Sequence, residues 1–242
     1  MKRIFNKNRR RLLLKNKEGK SESPKGRYFL YALGEMVLIV IGILIALQIN
    51  NWNTRRIEKV TEKKIYENIK RQIIDDKHEI TKVRDFNNYY SAQYERANQI
   101  VLSKERNKID TLAYLAMTLS QYSDFHRSGN IYETLVNSGE LKLLRNNEVT
   151  GSLQRLEMTY SNLNKLEDIH WEIIINELSP EMKGVVNYAT LQIVIPEKLF
   201  SVELQNVLVE SIYLTKGKDV VYNKALDEIN TILELIDEEL DN

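Results

Sequence analysis

One carboxylate stands inside an otherwise uncharged apolar stretch of this sequence. Glu35 is the only acidic or basic residue between Tyr28 and Trp52. An ionised carboxylate is costly in hydrocarbon, so such a group is protonated, pairs with a basic partner or reaches the membrane interface. One hypothesis is therefore a proton-linked or partner-binding role for Glu35. The other is a tolerated interfacial acid, or a hydrogen bond that orients the helix.

Small residues in the same stretch could let two helices pack closely. Gly42 and Ala46 are four residues apart and share one helix face, and Gly34 lies eight residues before Gly42 on a similar face. This pattern predicts a contact face for self-association, although chance composition explains it equally well.

The rest of the chain offers few groups for catalysis or metal binding. There is no cysteine, and the three histidines are His78, His126 and His170. None has a second ligand at a metal-binding spacing, and no phosphate-binding or nucleophile motif occurs. We expect His170, beside Trp171 on an apolar stripe, to be packed. We expect no cofactor, no metal and no catalytic residue.

The apolar stretch predicts a single membrane span. A bilayer core of about 30 Å needs roughly 20 helical residues, and residues 28–53 supply them. Residues 1–27 hold eleven basic and two acidic residues, whereas residues 54–242 hold 24 basic and 31 acidic residues. The positive-inside rule then predicts a basic cytoplasmic segment at 1–27 and a periplasmic domain at 54–242. The span has no cleavage-site pattern and is interpreted as an uncleaved signal anchor.

Heptad-like spacing predicts that the long segment after the span is helical. Apolar residues recur at alternating steps of three and four in three segments, 66–101, 149–174 and 222–240. Glycine and proline are scarce, with 9 and 3 residues. Amphipathic helices bury their stripes against each other. The predicted class is all-α, with one transmembrane helix followed by a bundle of long helices.

Several local features refine this prediction. Asp76 and Asn87 interrupt the apolar positions of the first seam. Buried polar residues of this kind set the pairing of helices in coiled coils. The alternative is that both residues face water at the edge of the bundle. The helix could break near Asn87, which the sequence leaves open. Asn130 and Gly139 are expected to bound a short helix.

The remaining boundaries lie further along the chain. Asn146 or Asn147 is expected to cap a helix that ends near Leu178. Residues 180–200 are expected to be an extended connection.

The irregular segments are candidates for a partner surface, because loops on a rigid scaffold commonly carry function. The alternative is that both segments, 124–147 and 180–200, only connect helices. The candidate residues in the first segment are Phe125, His126, Arg127, Tyr132 and Arg145.

Two blocks of the sequence resemble a known family. They are Tyr31-Ala-Leu-Gly-Glu35 with Ile41–Trp52 (IGILIALQINNW), and Tyr132–Leu144 (YETLVNSGELKLL). They are similar to the signature of single-span membrane proteins of Bacteroidota that are known only as a domain of unknown function. The resemblance implies an inner-membrane protein with a periplasmic helical domain, and it supplies no activity.

These observations favour a membrane-anchored helical scaffold, sensor or accessory subunit of an envelope complex. An ion- or proton-coupled subunit that uses Glu35 is the alternative, and a periplasmic enzyme is a lesser one. The expected partners are the lipid bilayer and either a second copy of the chain or another envelope protein. No motif predicts nucleic-acid binding.

Overall fold

A computed structural model of the protein describes residues 24–127 and 129–241. Within these residues all regular structure is helical, and the one β-type contact is an isolated antiparallel bridge between Val186 and Ile193. The predicted all-α class is confirmed.

Six α-helices account for most of the described chain. They are α1 (Pro24–Leu102), α2 (Ile109–Thr118), α3 (Ile131–Ser138), α4 (Asn147–Ile173), α5 (Ser179–Met182) and α6 (Val202–Asp241). Short 3₁₀ segments at Arg106–Lys108, Glu140–Leu143 and Pro196–Phe200 join them, and a π-helical turn at Ile174–Leu178 links α4 to α5.

The contacts divide the chain into two units, one ending at Ile57 and the other beginning at Glu58. In the first unit α1 is long and apolar enough to cross a membrane, with a mean hydropathy of 2.4 in its most apolar stretch. Every side chain from Tyr31 to Ile57 is exposed, so nothing within this unit covers that apolar surface. The basic segment predicted at 1–27 lies almost wholly outside the described residues.

The second unit is a bundle in which α1, α4 and α6 pack along their predicted seams. Its interior consists of two apolar cores. The first core takes most of its side chains from α1, α4 and α6, at positions 65–83, 149–163 and 222–236. The second takes them from α1, α2, the end of α4 with the segment after it, and the start of α6 with the 3₁₀ segment before it, at positions 94–101, 112–119, 173–186 and 199–208.

Capping explains several of the boundaries. Asn146 begins α4 because its Oδ1 accepts hydrogen bonds from the backbone N–H groups of Glu148 and Val149. Gly139 ends α3 in the left-handed conformation with φ 70°, as expected. Asn130 precedes α3 but makes no capping bond; its Nδ2 instead donates to Glu133 at 3.1 Å.

The sequence left open whether the first long helix breaks near Asn87, and α1 continues through it without a break. Nδ2 of Asn87 donates to the carbonyl of Thr215 on α6 at 2.9 Å and so has a partner inside the bundle. One expected helix end is corrected. Helical structure continues past Leu178 to Met182, because Pro180 sits in the first turn of α5, where its missing N–H costs nothing.

Asp76 and Asn87 are buried within the chain's own core, and neither lies at a bundle edge. A carboxylate oxygen of Asp76 accepts a hydrogen bond from the Tyr160 hydroxyl at 3.1 Å. These residues therefore fix contacts between helices of one chain, and they give no argument for self-association.

Candidate functional site

A layer of polar side chains separates the two apolar cores of the bundle. It lies where the seams of α1, α4 and α6 change from one core to the other. The polar layer is made of Asn87, Ser91, Ser123, Glu167, His170, Ser211, Thr215 and Lys218, all buried.

Lys218 is the central cation of the polar layer. It is 0% exposed, and its Nζ lies 2.6 Å from Oγ of Ser123 and 2.8 Å from Nδ1 of His170. Burial lowers the pKa of Lys218 to about 8, against the opposing effect of the nearby carboxylates of Glu167 and Asp124.

Ser123 joins three elements through one hydroxyl. Its Oγ accepts a hydrogen bond from Lys218 and donates to Oδ1 of Asn87 at 3.3 Å. The Tyr222 hydroxyl lies 3.0 Å from the same Oγ, and its single hydrogen is shared between Ser123 and Glu167.

Glu167 is the buried acid of the polar layer. Both of its carboxylate oxygens lie 3.1 Å from the backbone N–H of Phe125, and one also accepts from the Tyr222 hydroxyl. Burial raises the pKa of Glu167 to about 7, although these hydrogen bonds and the charge of Lys218 act in the opposite direction.

His170 lies between the polar layer and the second core. Its Nε2 is 3.3 Å from the hydroxyl of Tyr94, which donates to the carbonyl of Leu119 at 2.6 Å. Burial, and then the charge of Lys218, lowers the pKa of His170 to about 3. The packed histidine predicted from the sequence is thus confirmed in position.

The Ser123–Lys218 pair has the residue types of a serine nucleophile and a lysine base. Its geometry differs from that of an activated pair, because Ser123 donates its hydrogen to Asn87 and accepts one from Lys218. Ser123 is also only 3% exposed. Among the described residues, no group of three or more His, Asp or Glu side chains is placed to hold a metal ion. The arrangement holds the irregular segment 121–127 against the helices, through Ser123 and the backbone of Phe125.

The predicted intramembrane residues lie on the exposed surface of the first unit. Glu35 and Ala46 are exposed, and a Cβ added at Gly34 or Gly42 would meet no atom within 4 Å. These positions are therefore open to lipid or to another helix.

The predicted partner surface is not one surface. Phe125 is 3% exposed and packs on Tyr160 with ring centroids 5.0 Å apart, so its assignment to a surface was wrong. Burying an aromatic ring in the first core is favourable because it removes apolar surface from water, even though Phe125 lies in a loop. His126 is exposed, with Nε2 3.2 Å from the carboxylate of Asp124. Arg127 forms an ion pair with Glu157 of α4.

The other two candidates lie apart from these three. Tyr132 packs against the first core. Arg145 lies near Glu62 and Glu58 of α1, at 3.6 and 3.7 Å, and its backbone N–H donates to Glu62 at 2.8 Å. Both residues therefore hold the segment 131–146 to the bundle.

The sequence argument missed Lys218, Ser123 and Tyr222 as members of one network. A signal existed, because Ser211, Thr215, Lys218 and Tyr222 follow steps of four, three and four along α6. A lysine at a seam position, in a chain whose other seams also carry polar residues, indicates a polar layer.

The comparisons with known proteins give a family and no activity. A search of curated proteins and a search of solved structures each found no match. A model of a family of unknown function, DUF6090, matches residues 35–217, which is most of the chain and includes Glu35 and much of the bundle. The expectation of a family without assigned function is confirmed, and the chain belongs to the DUF6090 family of unknown function.

Proposed function

We propose that the protein is a single-pass membrane protein whose helical bundle works by binding, as a scaffold, sensor or accessory subunit of an envelope complex. The observation that carries this proposal is the uncovered apolar surface of the first unit, where no side chain of the most apolar stretch is buried. A bilayer is the environment that covers such a helix.

The proposed topology places the N-terminus in the cytoplasm and the bundle in the periplasm of the inner membrane. The supporting observation is the excess of basic residues before the span. Protease added to spheroplasts should digest the bundle and spare the N-terminal segment. Protection of the bundle together with loss of the N-terminus would refute this topology.

A binding role is favoured over a catalytic one by the state of the buried polar groups. In the part of the chain that is described, the cluster of reactive side chains lies inside the bundle, and Ser123, Lys218 and Asn87 are hydrogen-bonded to one another. Crosslinking in intact cells followed by purification of the full chain tests this role. A reproducible envelope partner is the expected result, and a chain recovered alone from every condition contradicts it.

A proton-coupled subunit is the second candidate, and the exposed Glu35 within the apolar stretch is the observation that favours it. Glu35→Gln keeps the size of the side chain and removes the charge. A scaffold should keep its partners and its cellular role after this change. A proton-linked subunit should still assemble but lose that role.

A further inference from the structure

A groove of about 430 Å³ opens at the second core, away from the polar layer. It is lined by Ala116, Met117, Ser120, Ile175, Leu178, Ser179, Pro180, Met182, Lys183 and Tyr188. Its volume lies in the lower part of the range of 300–1,000 Å³ that small-molecule sites occupy.

The π-helical turn at Ile174–Leu178 shapes one wall of the groove. A π-turn places one more residue in a turn than an α-helix does, and such turns are frequent at functional sites. Ile174 and Leu178 are buried in the second core, and Leu178 also lines the groove, whereas Ile175 lines the groove and is 44% exposed. An apolar side chain is thus held at the surface by the local backbone.

A small hairpin contributes Tyr188 to the lining of the groove. The bridge between Val186 and Ile193 closes the hairpin, and the backbone N–H of Asn187 donates to the carbonyl of Gln192 at 2.8 Å. Tyr188 lies on this hairpin, lines the groove and is 57% exposed. Leu191, near the turn, has φ 59°, a strained conformation for leucine that commonly marks functional segments.

The charged side chains that line the groove indicate the charge of a ligand that fits it. Its described lining contains one cation, Lys183, together with the hydroxyls of Ser120 and Ser179, and no acidic side chain. Methionine, isoleucine and tyrosine side chains make up the apolar wall. A ligand that fits this lining has an apolar body and a single anionic head.

We propose that this groove binds a single-chain anionic amphiphile, such as a fatty acid, with the carboxylate at Lys183 and the chain along Ile175, Met182 and Tyr188. The volume lies in the range of small-molecule sites, which favours one acyl chain as the occupant. The proposal goes beyond the binding role proposed above and is independent of the topology of the span.

The test uses the full chain in phosphatidylcholine nanodiscs with a palmitic acid that carries a diazirine at its far end. After irradiation and digestion, mass spectrometry should find label on peptides containing Met117 or residues 175–188. The matching hexadecanol probe should label these peptides about tenfold less, the loss expected when one charged hydrogen bond is absent.

Variants locate the label. Ile175→Glu puts a carboxylate into the groove, and Lys183→Gln removes its cation; each should lower labelling by palmitate about tenfold. Val220→Glu and Lys165→Gln change exposed residues elsewhere and should leave labelling unchanged. Circular dichroism checks that all four variants fold. If Ile175→Glu does not fold, Lys183→Gln alone decides the result.

Three results overturn the proposal. The first is label confined to the span, or equal in all variants. The second is equal labelling by palmitate and hexadecanol in the wild type, which would show no selection for an anion. The third is preferential labelling of the groove by a diazirine phosphatidylglycerol, or a crosslink there to another protein, since either would identify a different occupant.

Discussion

Nζ of Lys218 lies 2.8 Å from Nδ1 of His170, so two basic side chains share one hydrogen bond in the polar layer. The lysine nitrogen is the donor, so Nδ1 is the acceptor and carries no hydrogen. The hydrogen of the neutral ring is then on Nε2, which faces the Tyr94 hydroxyl. A second hydrogen on the ring would meet an N–H of Lys218, so this contact opposes protonation of His170.

We therefore expect His170 to remain a neutral Nε2–H tautomer well below the pH at which a free histidine is charged. The pKa of about 3 for His170 places its titration below pH 4. Nitrogen-15 NMR of labelled protein at pH 5 should show the pattern of one protonated and one bare nitrogen. The His170→Gln variant assigns the signal by its disappearance. A doubly protonated ring at pH 5 would contradict the geometry.

Glu167 and His170 should have opposite effects on how the free energy of unfolding depends on pH. The pKa of Glu167 is raised from 4.5 to about 7. Its stabilising contribution to the free energy of unfolding is therefore complete below pH 4.5 and is lost as the pH rises through 7. The pKa of His170 is lowered from 6.5 to about 3, so its contribution is complete above pH 6.5 and is lost as the pH falls through 3. Between pH 4.5 and 6.5 the two slopes cancel.

Glu167→Gln should uncover the histidine slope. The free energy of unfolding of this variant, relative to wild type, should fall by about 1.4 kcal/mol per pH unit as the pH decreases from 6.5 to 4.5. His170→Gln should give the opposite slope over the same interval. Urea unfolding of the full chain in mild detergent at several pH values measures both differences. Parallel pH profiles for the two variants would refute the assignment.

The charges of Lys218 and Glu167 should be energetically coupled. At pH 8, where Glu167 is ionised, Lys218→Met removes the cation that faces its carboxylate and should cost about 3 kcal/mol, typical of breaking a buried charge pair. Adding Glu167→Gln removes the remaining charge, so the double variant should lose less than the sum of the single losses. The exposed Lys165→Met provides the comparison. Strict additivity, measured by urea unfolding, would mean that the two groups do not interact.

The hydroxyl of Ser123 should hold the segment 121–127 in place. Ser123→Ala removes the hydrogen bonds to Lys218 and Asn87 and the contact with the Tyr222 hydroxyl, so amide hydrogens of this segment should exchange about tenfold faster or more. Ser120→Ala is a matched substitution at an exposed serine three residues earlier. Hydrogen-exchange mass spectrometry compares the two. Unchanged exchange after Ser123→Ala would mean that Phe125 alone fixes the segment.

Self-association of the span is tested by Gly42→Leu together with Ala46→Leu. A Cβ at Gly42 meets nothing within 4 Å, so larger side chains fit a single copy and would disturb only contacts between copies. The mass of the detergent-solubilised protein should decrease in the double variant. A wild-type chain that is already monomeric would contradict association through this face.

The helices could be predicted from the sequence because their signals are local. The steps of three and four from Tyr66 to Val101 and from Tyr222 to Leu240 depend only on neighbouring turns, and the structure places both segments in helices. The cap at Asn146 and the left-handed Gly139 are also local, and both are confirmed.

The polar layer could not be predicted in the same way, because it depends on which helices meet and at what height. Lys218, beside Gly217, has the local sequence of a surface lysine, and only the packing of α6 on α1 and α4 buries it. Phe125 is similar: its segment has no helical period, and the first core that buries its ring is built from distant residues.

The polar layer also fixes the register in which the helices of the bundle pack. Apolar seams with a seven-residue period tolerate a shift of one helix by about 10 Å, since leucine and isoleucine then meet equivalent neighbours. After such a slide of α6, Lys218 would face one of the apolar cores, and Glu167 would lose the hydroxyl of Tyr222. A shifted register would bury a charge without its partners in an apolar core, which is costly. The polar layer therefore favours one register among several that the apolar seams alone would allow.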